Sequence, residues 1–147
     1  MYKNLLVPTD GSPLSVRTAN DAIKLARKLG ARITAFYAAP AYHIEVYGDY
    51  IPPDLLTPRQ HVAAAKKTAQ RYLDDIAKAA ARQRVKCAGH YVISDATAET
   101  IVKAARKHKC DLIYMGPHGR TGISKLLLGS QTSKVLALAH LPVLVHR

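Results

Sequence analysis

The chain has 147 residues, the length of one domain with an ordinary hydrophobic core, and we expect residues 1–147 to form that single domain. Its apolar runs are too short to cross a membrane, and the first leads directly into a predicted strand and not into a secretion signal, so we expect a cytoplasmic protein. The net charge is +12, but lysines and arginines are spread along predicted helices, which favours solvated helix faces over a nucleic-acid surface.

The first predicted elements are a strand and a helix. The apolar run of residues 4–7 predicts a buried strand that Pro8 ends. Ser12 is expected to cap the helix, with Pro13 in its first position because proline has no N–H to leave unpaired there. Apolar residues then recur at helical spacing, and Gly30 is expected to end the helix. The turn between the two elements carries Thr9, Asp10 and Gly11.

A second strand, a long connection and a second helix follow. Residues 33–39 are apolar without alternation, as expected of a strand covered on both faces. The connection over residues 41–56 is rich in tyrosine. A connection of this length is either a functional segment (a lid, a binding loop or a partner contact) or a surface loop with no such role. Thr57 and Gln60 form a capping box, which predicts a helix to about residue 82. Its apolar stripe is Val62, Ala65, Ala69, Tyr72, Leu73, Ile76 and Ala80.

The third strand and third helix are predicted next. Residues 87–93 form an apolar run in which Gly89 suggests a bulge. Asp95 or Thr97 is expected to cap the helix that follows, because both side chains accept hydrogen bonds from a helix N-terminus. The inward face of this helix is predicted to hold Ile101, Val102 and Ala105.

The last predicted elements are a strand, a helix and a final strand. Residues 112–115 form a short apolar run that ends at Gly116. Ser130 is expected to cap the fourth helix. Pro142 introduces the last strand, residues 143–145. The apolar side of the fourth helix is predicted to hold Val135, Leu136 and Leu138.

Strands and helices therefore alternate along the chain, beginning and ending with a strand. This order is typical of a single-domain α/β fold with an open, parallel, five-stranded sheet and helices on both faces, a Rossmann-like arrangement with right-handed crossovers. Ligands of such sheets bind beyond the carboxyl ends of the strands, where the strand order reverses. We expect the segments Pro8 to Asp10, Ala38 to Pro40 and Met115 to Gly119 to converge on one crevice.

A glycine-rich segment connects the fourth strand to the fourth helix. Glycine reaches positive φ at no steric cost and lets a ligand approach the main chain closely. The first N–H groups of a helix lack internal partners, and the helix dipole adds positive potential there. An anion placed between Gly116, Gly119 and the Gly129-Ser130 pair would meet backbone donors from two sides, with Arg120 and Lys125 nearby. The segment therefore predicts a phosphate-binding site.

The spacing Gly116-x2-Gly119-x9-Gly129-Ser130 resembles the ATP-binding signature of the universal stress protein family, and MGPHGRTG, LLLGS and LPVLV are similar to other segments of that family. The resemblance covers the chain except for the tyrosine-rich connection. It implies an adenine nucleotide alpha hydrolase-like fold that binds ATP with Mg²⁺ and takes part in stress-response signalling. It also implies a homodimer in which the last strand, Val143, Leu144 and Val145, pairs with its twin.

The resemblance also implies roles for individual residues. Asp10, after Pro8 and Thr9, would face the ribose or the phosphate and metal region, holding the metal through water, with no metal ligand supplied by the protein alone. The main chain near Ala38 would meet the adenine edge, and Met115 would pack near the base. The residues implied to hold ribose and phosphates are Gly116, His118, Gly119, Arg120, Gly129, Ser130, Gln131 and Thr132.

Two residues depart from the family pattern. Position 38 is usually a larger aliphatic residue, and Ala38 is expected to loosen the adenine pocket. Pro117 replaces the usual serine or threonine and so removes one N–H and one hydroxyl from the loop. Both changes are expected to weaken binding without moving the site.

Enzyme motifs are missing from the sequence. It contains no GxxxxGK[ST], GxSxG, HExxH or GxGxxG segment, so we expect no enzyme activity beyond slow, incidental ATP hydrolysis. One alternative is a nucleotide-independent scaffold of the same fold, whose basic surface binds acidic partners or nucleic acid. A second alternative is a nucleotidyl-transfer enzyme related to the adenine-binding α/β folds.

Several residues also have plainer interpretations. Asp10 fits a simple turn residue. His118 is expected to be exposed, and Gly122 with residues 126–128 is expected to tether the loop to the core. Cys87 and Cys110 lack any paired spacing and are interpreted as reduced thiols packed as small hydrophobic groups. The remaining histidines with no metal-binding spacing are interpreted as surface residues, namely His108, His140 and His146.

Overall fold

The computed structural model describes residues 1–44, 48–120 and 127–147. The strands are β1 (Asn4–Thr9), β2 (Arg32–Ala39), β3 (Cys87–Ile93), β4 (Leu112–Met115) and β5 (Val143–Val145). The helices are α1 (Pro13–Leu29), α2 (Pro58–Arg82), α3 (Thr97–Lys107) and α4 (Ser130–Leu138). All strands are parallel, in the order β3-β2-β1-β4-β5. The predicted α/β fold with one parallel five-stranded sheet is confirmed.

Helices cover both faces of the sheet. Successive side chains of a strand point to opposite faces, so Leu5 and Val7 of β1 pack with the buried residues of α1 and α2, whereas Leu6 packs with those of α3 and α4. Each of these β1 side chains is fully buried. The apolar runs without alternation arise because both faces of the central strands are covered.

The strand order reverses between β1 and β4. From β1 the chain adds β2 and β3 on one side of the sheet, then crosses over to place β4 and β5 on the other side. The pairing between β1 and β4 is short, joining Leu5 to Leu112 and Leu6 to Ile113. Beyond these pairs the carboxyl ends of the two strands bound a crevice, as expected for an open parallel sheet.

Two of the predicted helix caps are confirmed. The Ser12 hydroxyl oxygen accepts a hydrogen bond from the Ser15 N–H over 3.2 Å, and Gly30 ends α1 in the left-handed conformation with φ 62°. At the start of α2 the Thr57 hydroxyl oxygen accepts from the Gln60 N–H over 3.2 Å, while the Gln60 side chain accepts from the Thr57 N–H over 2.8 Å. Both caps use residues three positions apart, a spacing that is visible in the sequence.

The other two predicted caps are wrong. The N-cap of α4 is Gly129, which has no side chain to accept a hydrogen bond, and Ser130 is the first residue inside the helix. The N-cap of α3 is Ala96, and neither Asp95 nor Thr97 caps this helix. The Asp95 carboxylate instead accepts a hydrogen bond from the Ala41 N–H over 3.0 Å.

Two expectations about the strands also need correction. β1 does not end at Pro8 but continues to Thr9. Pro8 lies beyond the residues of β1 that pair with β4, so the N–H that proline lacks removes no hydrogen bond between these two strands. Gly89 forms no bulge, because β3 pairs with β2 in unbroken register from Cys87 to Ile93. A Cβ at Gly89 would lie 3.0 Å from Leu73 Cβ, so glycine is needed there to let α2 approach the sheet.

Three residues assigned to apolar helix stripes lie at the surface. Leu136 and Leu138 of α4 are 43% and 41% exposed, and Val62 of α2 is 51% exposed. Each lies near an end of its helix or away from the sheet, whereas Val135 in the middle of α4 is fully buried. No helix within residues 1–44, 48–120 and 127–147 is long and apolar enough to cross a membrane.

Candidate functional site

A cavity of about 650 Å³ opens at the carboxyl ends of β1, β2 and β4, the place predicted from the strand order. Its volume is in the range of small-molecule sites. The residues that the sequence suggested as nucleotide contacts all line it, namely Pro8, Thr9, Asp10, Ala38, Met115, Gly116, His118, Gly119, Arg120, Gly129, Ser130, Gln131 and Thr132.

One end of the cavity is apolar, and part of it was missed by the sequence analysis. Besides Ala38 and Met115, the lining includes Phe36 of β2 and Ile101 of α3. Both belong to the core cluster on the α3 and α4 side of the sheet, so their hydrophobicity alone indicated a core position. Their place in the cavity follows from the packing of the first half of α3 over the end of β2, which no local pattern encodes.

Asp10 connects two turns at the edge of the cavity. One carboxylate oxygen accepts a hydrogen bond from the Ser12 N–H over 2.9 Å, and the other accepts from the Arg120 N–H over 2.8 Å. Burial raises the pKa of this carboxyl, but hydrogen bonds from Ser12, Ser15 and the Arg120 backbone outweigh burial, and the pKa lies below its ordinary value. Asp10 is therefore ionised at neutral pH and fastens the β1–α1 turn to the glycine-rich segment.

The three glycines of the motif are required by close packing. A Cβ at Gly119 would lie 2.6 Å from Asp10 Oδ2, and one at Gly129 would lie 3.0 Å from Cα and Cβ of His118. A Cβ at Gly116 would lie 3.2 Å from Thr18 Oγ1. The expectation of positive φ is wrong for all three, because among the described residues the left-handed glycines are Gly11, Gly30 and Gly48.

Hydrogen bonds bring the two ends of the glycine-rich segment together. The Gly129 N–H donates to the Pro117 carbonyl over 2.7 Å, and the Thr132 hydroxyl donates to the Gly116 carbonyl over 3.0 Å. His118 is half-buried and not exposed as expected, and its buried Nδ1 has no hydrogen-bond partner in the part of the chain that the structure describes. The start of α4 thus lies against the loop that follows β4.

Arg120 contacts a residue that the sequence did not single out as a site residue. Its guanidinium donates a hydrogen bond to the Tyr72 hydroxyl of α2 over 2.6 Å.

Leu127 and Leu128 were expected to tether the loop to the core, but they are 72% and 38% exposed at the cavity edge. The other residues implicated in this loop, Gly122, Lys125 and Leu126, lie outside the described residues, as does Tyr47 of the tyrosine-rich connection.

Helix α3 receives its cap from across the cavity. The Ala98 N–H donates to the side-chain oxygen of Gln131 over 3.1 Å. Gln131 lies in the first turn of α4 and lines the cavity, so one side chain joins the N-termini of two helices at the site. The sequence suggested Gln131 only as a ligand contact.

Titratable side chains elsewhere form no metal-binding cluster among the described residues, where no group of three or more His, Cys, Asp or Glu is placed to hold a metal ion. The half-buried His108 ring stacks on His90 at 3.8 Å between centroids, and His146 bonds to Asp21 over 3.1 Å, so neither is a plain surface residue. The free thiols are Cys87 and Cys110, and burial raises the pKa of each.

Strand β5 lies at the edge of the sheet. It pairs with β4 from Val143 to Val145, and no second strand of the described chain pairs with it. The His146 N–H donates to the Met115 carbonyl over 2.9 Å, and because alternate N–H groups of a strand point to opposite sides, the Val145 N–H points to the outer edge. The three residues of β5 are half-buried.

Known proteins share both the sequence pattern and the fold. The sequence model of the Universal stress protein family matches residues 1–147. Universal stress protein MJ0531 of Methanocaldococcus jannaschii is 34% identical over 99% of this chain and 82% of its own length. A Thermus aquaticus universal stress protein is 34% identical over the full length of both chains.

A solved structure has the same architecture as this chain. Protein MJ0577 of Methanocaldococcus jannaschii superposes with a TM-score of 0.81 and 25% identity, covering 99% of this chain and 95% of its own. The likeness of fold therefore extends over nearly the whole length of both chains. With the match over all 147 residues, the chain belongs to the universal stress protein family.

Proposed function

We propose that this protein binds ATP, together with Mg²⁺, in the cavity at the carboxyl ends of β1, β2 and β4, and acts as a nucleotide-responsive stress-response module. The observation that carries the proposal is the packing of three glycines around that cavity, at positions 116, 119 and 129, where a Cβ would lie 2.6 to 3.2 Å from neighbouring atoms. Bare backbone at the wall of a cavity this size suits a ligand with a phosphate chain.

The two ends of the cavity differ in chemistry in the way that a nucleotide requires. Phe36, Ala38 and Met115 offer an apolar end to the adenine. At the other end α4 begins at Gly129 without a side-chain cap, so N–H groups of its first turn remain available to phosphate oxygens. The positive end of the helix dipole adds to this attraction.

The residues present also fit a magnesium ion held through water. Each Asp10 oxygen already accepts one backbone N–H, which leaves further lone pairs for water molecules. Mg²⁺ keeps several of its waters and binds through one or two carboxylates plus substrate phosphates. When bound, the ion would neutralise part of the charge that the phosphates and Asp10 bring together.

Some solved proteins of the same fold bind adenylates. Solved universal stress proteins include one in complex with cAMP and one from Archaeoglobus fulgidus in complex with dAMP, at 24% and 18% identity to this chain. At these identities the likeness indicates the fold alone. The preference for ATP rests on this chain's own glycines and on the basic residue Arg120 beside them.

We expect binding without dedicated turnover. Hydrolysis needs a base that holds and orients a water molecule. The lone pairs that the backbone N–H groups leave free on Asp10 are proposed to hold the waters of the magnesium ion, and the Nδ1 atom of His118 has no partner to orient it among the described residues. The nucleotide would instead act by ordering the segment between Gly116 and Gly129, a common switching mechanism.

Thermal unfolding tests the proposal directly. Ligand at about 100 times its dissociation constant stabilises a protein by roughly 2.7 kcal/mol, which raises Tm by several degrees. We expect this shift with ATP and Mg²⁺, a smaller shift with AMP, and little with GTP. The same samples, analysed for ADP, report turnover. Equal shifts with all three nucleotides would contradict the adenine pocket, and no shift from nucleotide-free protein would favour the scaffold function.

We also propose a homodimer joined through the outer edge of β5. An unpaired, half-buried apolar edge strand favours pairing with a second copy. Val145→Pro removes the outward N–H and leaves the His146 bond to β4 in place, so we expect monomers on light scattering. Val145→Ala keeps the N–H and is expected to remain dimeric. Dimers in both variants would contradict this interface.

A further inference from the structure

A second cavity of about 470 Å³ lies next to the first, between α1 and α2. Two residues, Thr9 and Arg120, line both cavities. The two spaces therefore meet at the end of the first cavity where the glycine-rich segment and Arg120 would receive phosphates. The second cavity contains none of the residues that form the apolar end of the first.

Thr9 and Arg120 form the boundary between the cavities, and the Tyr72 ring and the Arg71 guanidinium lie beside Arg120 on the side of the second cavity. The Tyr72 ring lies against Gly11, where a Cβ would be 2.1 Å from the ring carbon that carries the hydroxyl. Arg120 donates to that hydroxyl over 2.6 Å, and the Arg71 guanidinium carbon lies 5.1 Å from the ring centroid. One guanidinium group is thus held at the hydroxyl of the phenol and a second over its ring.

Beyond this boundary the second cavity has the chemistry of a nucleoside site. Apolar side chains of both helices form its walls, among them Val16 of α1 and Ile76 of α2. Asn20 and Asp75 supply polar groups. An amide side chain pairs with the donor and acceptor of an adenine edge, and a carboxylate accepts hydrogen bonds from ribose hydroxyls.

We propose that the second cavity binds the distal nucleoside of a dinucleoside polyphosphate, whose phosphate chain passes Arg120 and whose first adenosine occupies the cavity described above. The inference rests on the proposed nucleotide binding in the first cavity. Arg120 exchanges its bond with the Tyr72 hydroxyl for a phosphate oxygen, and Arg71 contacts the phosphates on the far side. Arginine forms strong, directional hydrogen bonds with phosphate, which suits both positions.

Calorimetric titration of the full chain with ATP, adenosine 5′-tetraphosphate and diadenosine tetraphosphate tests the inference. We expect diadenosine tetraphosphate to bind at least about tenfold more tightly than ATP, because charge-assisted hydrogen bonds and a second buried nucleoside are added. Arg71→Ala removes a cation that lines only the second cavity. We expect it to weaken diadenosine tetraphosphate about tenfold and to leave ATP unchanged.

A matched control is Arg59→Ala, which removes an exposed arginine of the same helix that lines neither cavity. It is expected to change neither affinity. Asn20→Ala is expected to weaken diadenosine tetraphosphate while leaving adenosine tetraphosphate unchanged, because only the former carries a second base.

Each outcome distinguishes this inference from the proposed function. Normal ATP binding with no advantage for diadenosine tetraphosphate, or an Arg71→Ala variant that weakens both ligands equally, would overturn the inference alone. An advantage fully reproduced by adenosine tetraphosphate would overturn the nucleoside site. Failure of all three ligands to bind would overturn the inference and the proposed function together.

Discussion

The helices on the two faces of the sheet begin in different ways. On one face, α1 and α2 each start with a residue that caps its own helix, Ser12 and Thr57. On the other face, α3 is capped by Gln131 from across the cavity, and α4 begins at a glycine with no side-chain cap. The first two helices are thus capped by residues next to them in the chain. The other two depend on contacts across the site, and we propose that a ligand supplies the hydrogen-bond acceptors that the start of α4 lacks.

The largest expected effect comes from Gly119→Val on the α4 side. Its Cβ would fall 2.6 Å from Asp10 Oδ2, and the side chain would occupy the space proposed for phosphate. We expect ATP affinity to fall by about a hundredfold or more, and the Tm without nucleotide to fall as well, because Asp10 must move away from its bond with the Arg120 N–H. Titration and thermal unfolding on the same preparation measure both quantities.

The matching control is Gly30→Ala at the end of α1. Gly30 has φ 62°, and no atom of the described residues lies within 4 Å of the position that a Cβ would take, so the cost is backbone strain alone, about 1 kcal/mol. We expect lower stability with unchanged ATP affinity. Comparable losses of affinity in both variants would mean that Gly119 acts through general stability and not through the site.

Removing the α2 cap tests the face of the sheet on which each helix is capped by a neighbouring residue. Thr57→Ala removes the hydroxyl that accepts from the Gln60 N–H, at a helix start that lies outside the cavity lining, and keeps the backbone N–H that donates to the Gln60 side chain. We expect the free energy of unfolding to fall by about 1 kcal/mol and the Tm by roughly 3 °C, with ATP affinity unchanged. A drop in affinity measured by titration would contradict the independence of this face.

Gln131→Met tests the shared cap. The substitution keeps the length of the side chain but removes the oxygen that accepts from the Ala98 N–H. We expect stability to fall by about 1 kcal/mol, as at α2, but here ATP affinity should fall several-fold as well because α3 and α4 lose their connection at the cavity. Unfolding with and without ATP separates the two effects, and a change in stability alone would argue against the coupling.

The smallest effect concerns the pH dependence of Asp10. Its folded pKa lies below the ordinary value of 3.8, so its stabilising contribution is present above that pH and is lost as pH falls through the folded pKa. We expect the wild-type Tm to exceed that of Asp10→Asn at neutral pH and the gap to close as the pH falls below the ordinary pKa of an aspartate and through the lower folded pKa. A gap that stays constant with pH would mean that the carboxylate charge is not involved.

The parts of the fold that sequence reasoning found are those that nearby residues determine. The alternation of strands and helices, the Ser12 cap and the Thr57–Gln60 capping box follow from patterns within a few residues, and so does the glycine motif that lines the cavity. The bond from Ala98 to Gln131 joins residues 33 positions apart, and the bond from Arg120 to Tyr72 spans 48. Such contacts follow from the packing of whole helices, so no local spacing predicts them.

The motif glycines teach a related point. Sequence reasoning identified them as positions where a side chain is not tolerated, and it assigned the reason to backbone angle and to the close approach of a ligand. At Gly119 and Gly129 the neighbours are Asp10 and His118, which approach from other turns of the site. A substitution's effect at these positions therefore depends on which neighbour can move.

The contact between Gly11 and Tyr72 constrains the order in which substitutions can accumulate over evolution. The tyrosine ring occupies the space that a side chain at position 11 would need, and φ 75° limits that position to glycine or, less favourably, asparagine. A lineage would have to shrink residue 72 before position 11 could change at all. Relatives that keep an aromatic residue at position 72 should therefore keep glycine at position 11, and a side chain at position 11 should occur only where residue 72 is smaller.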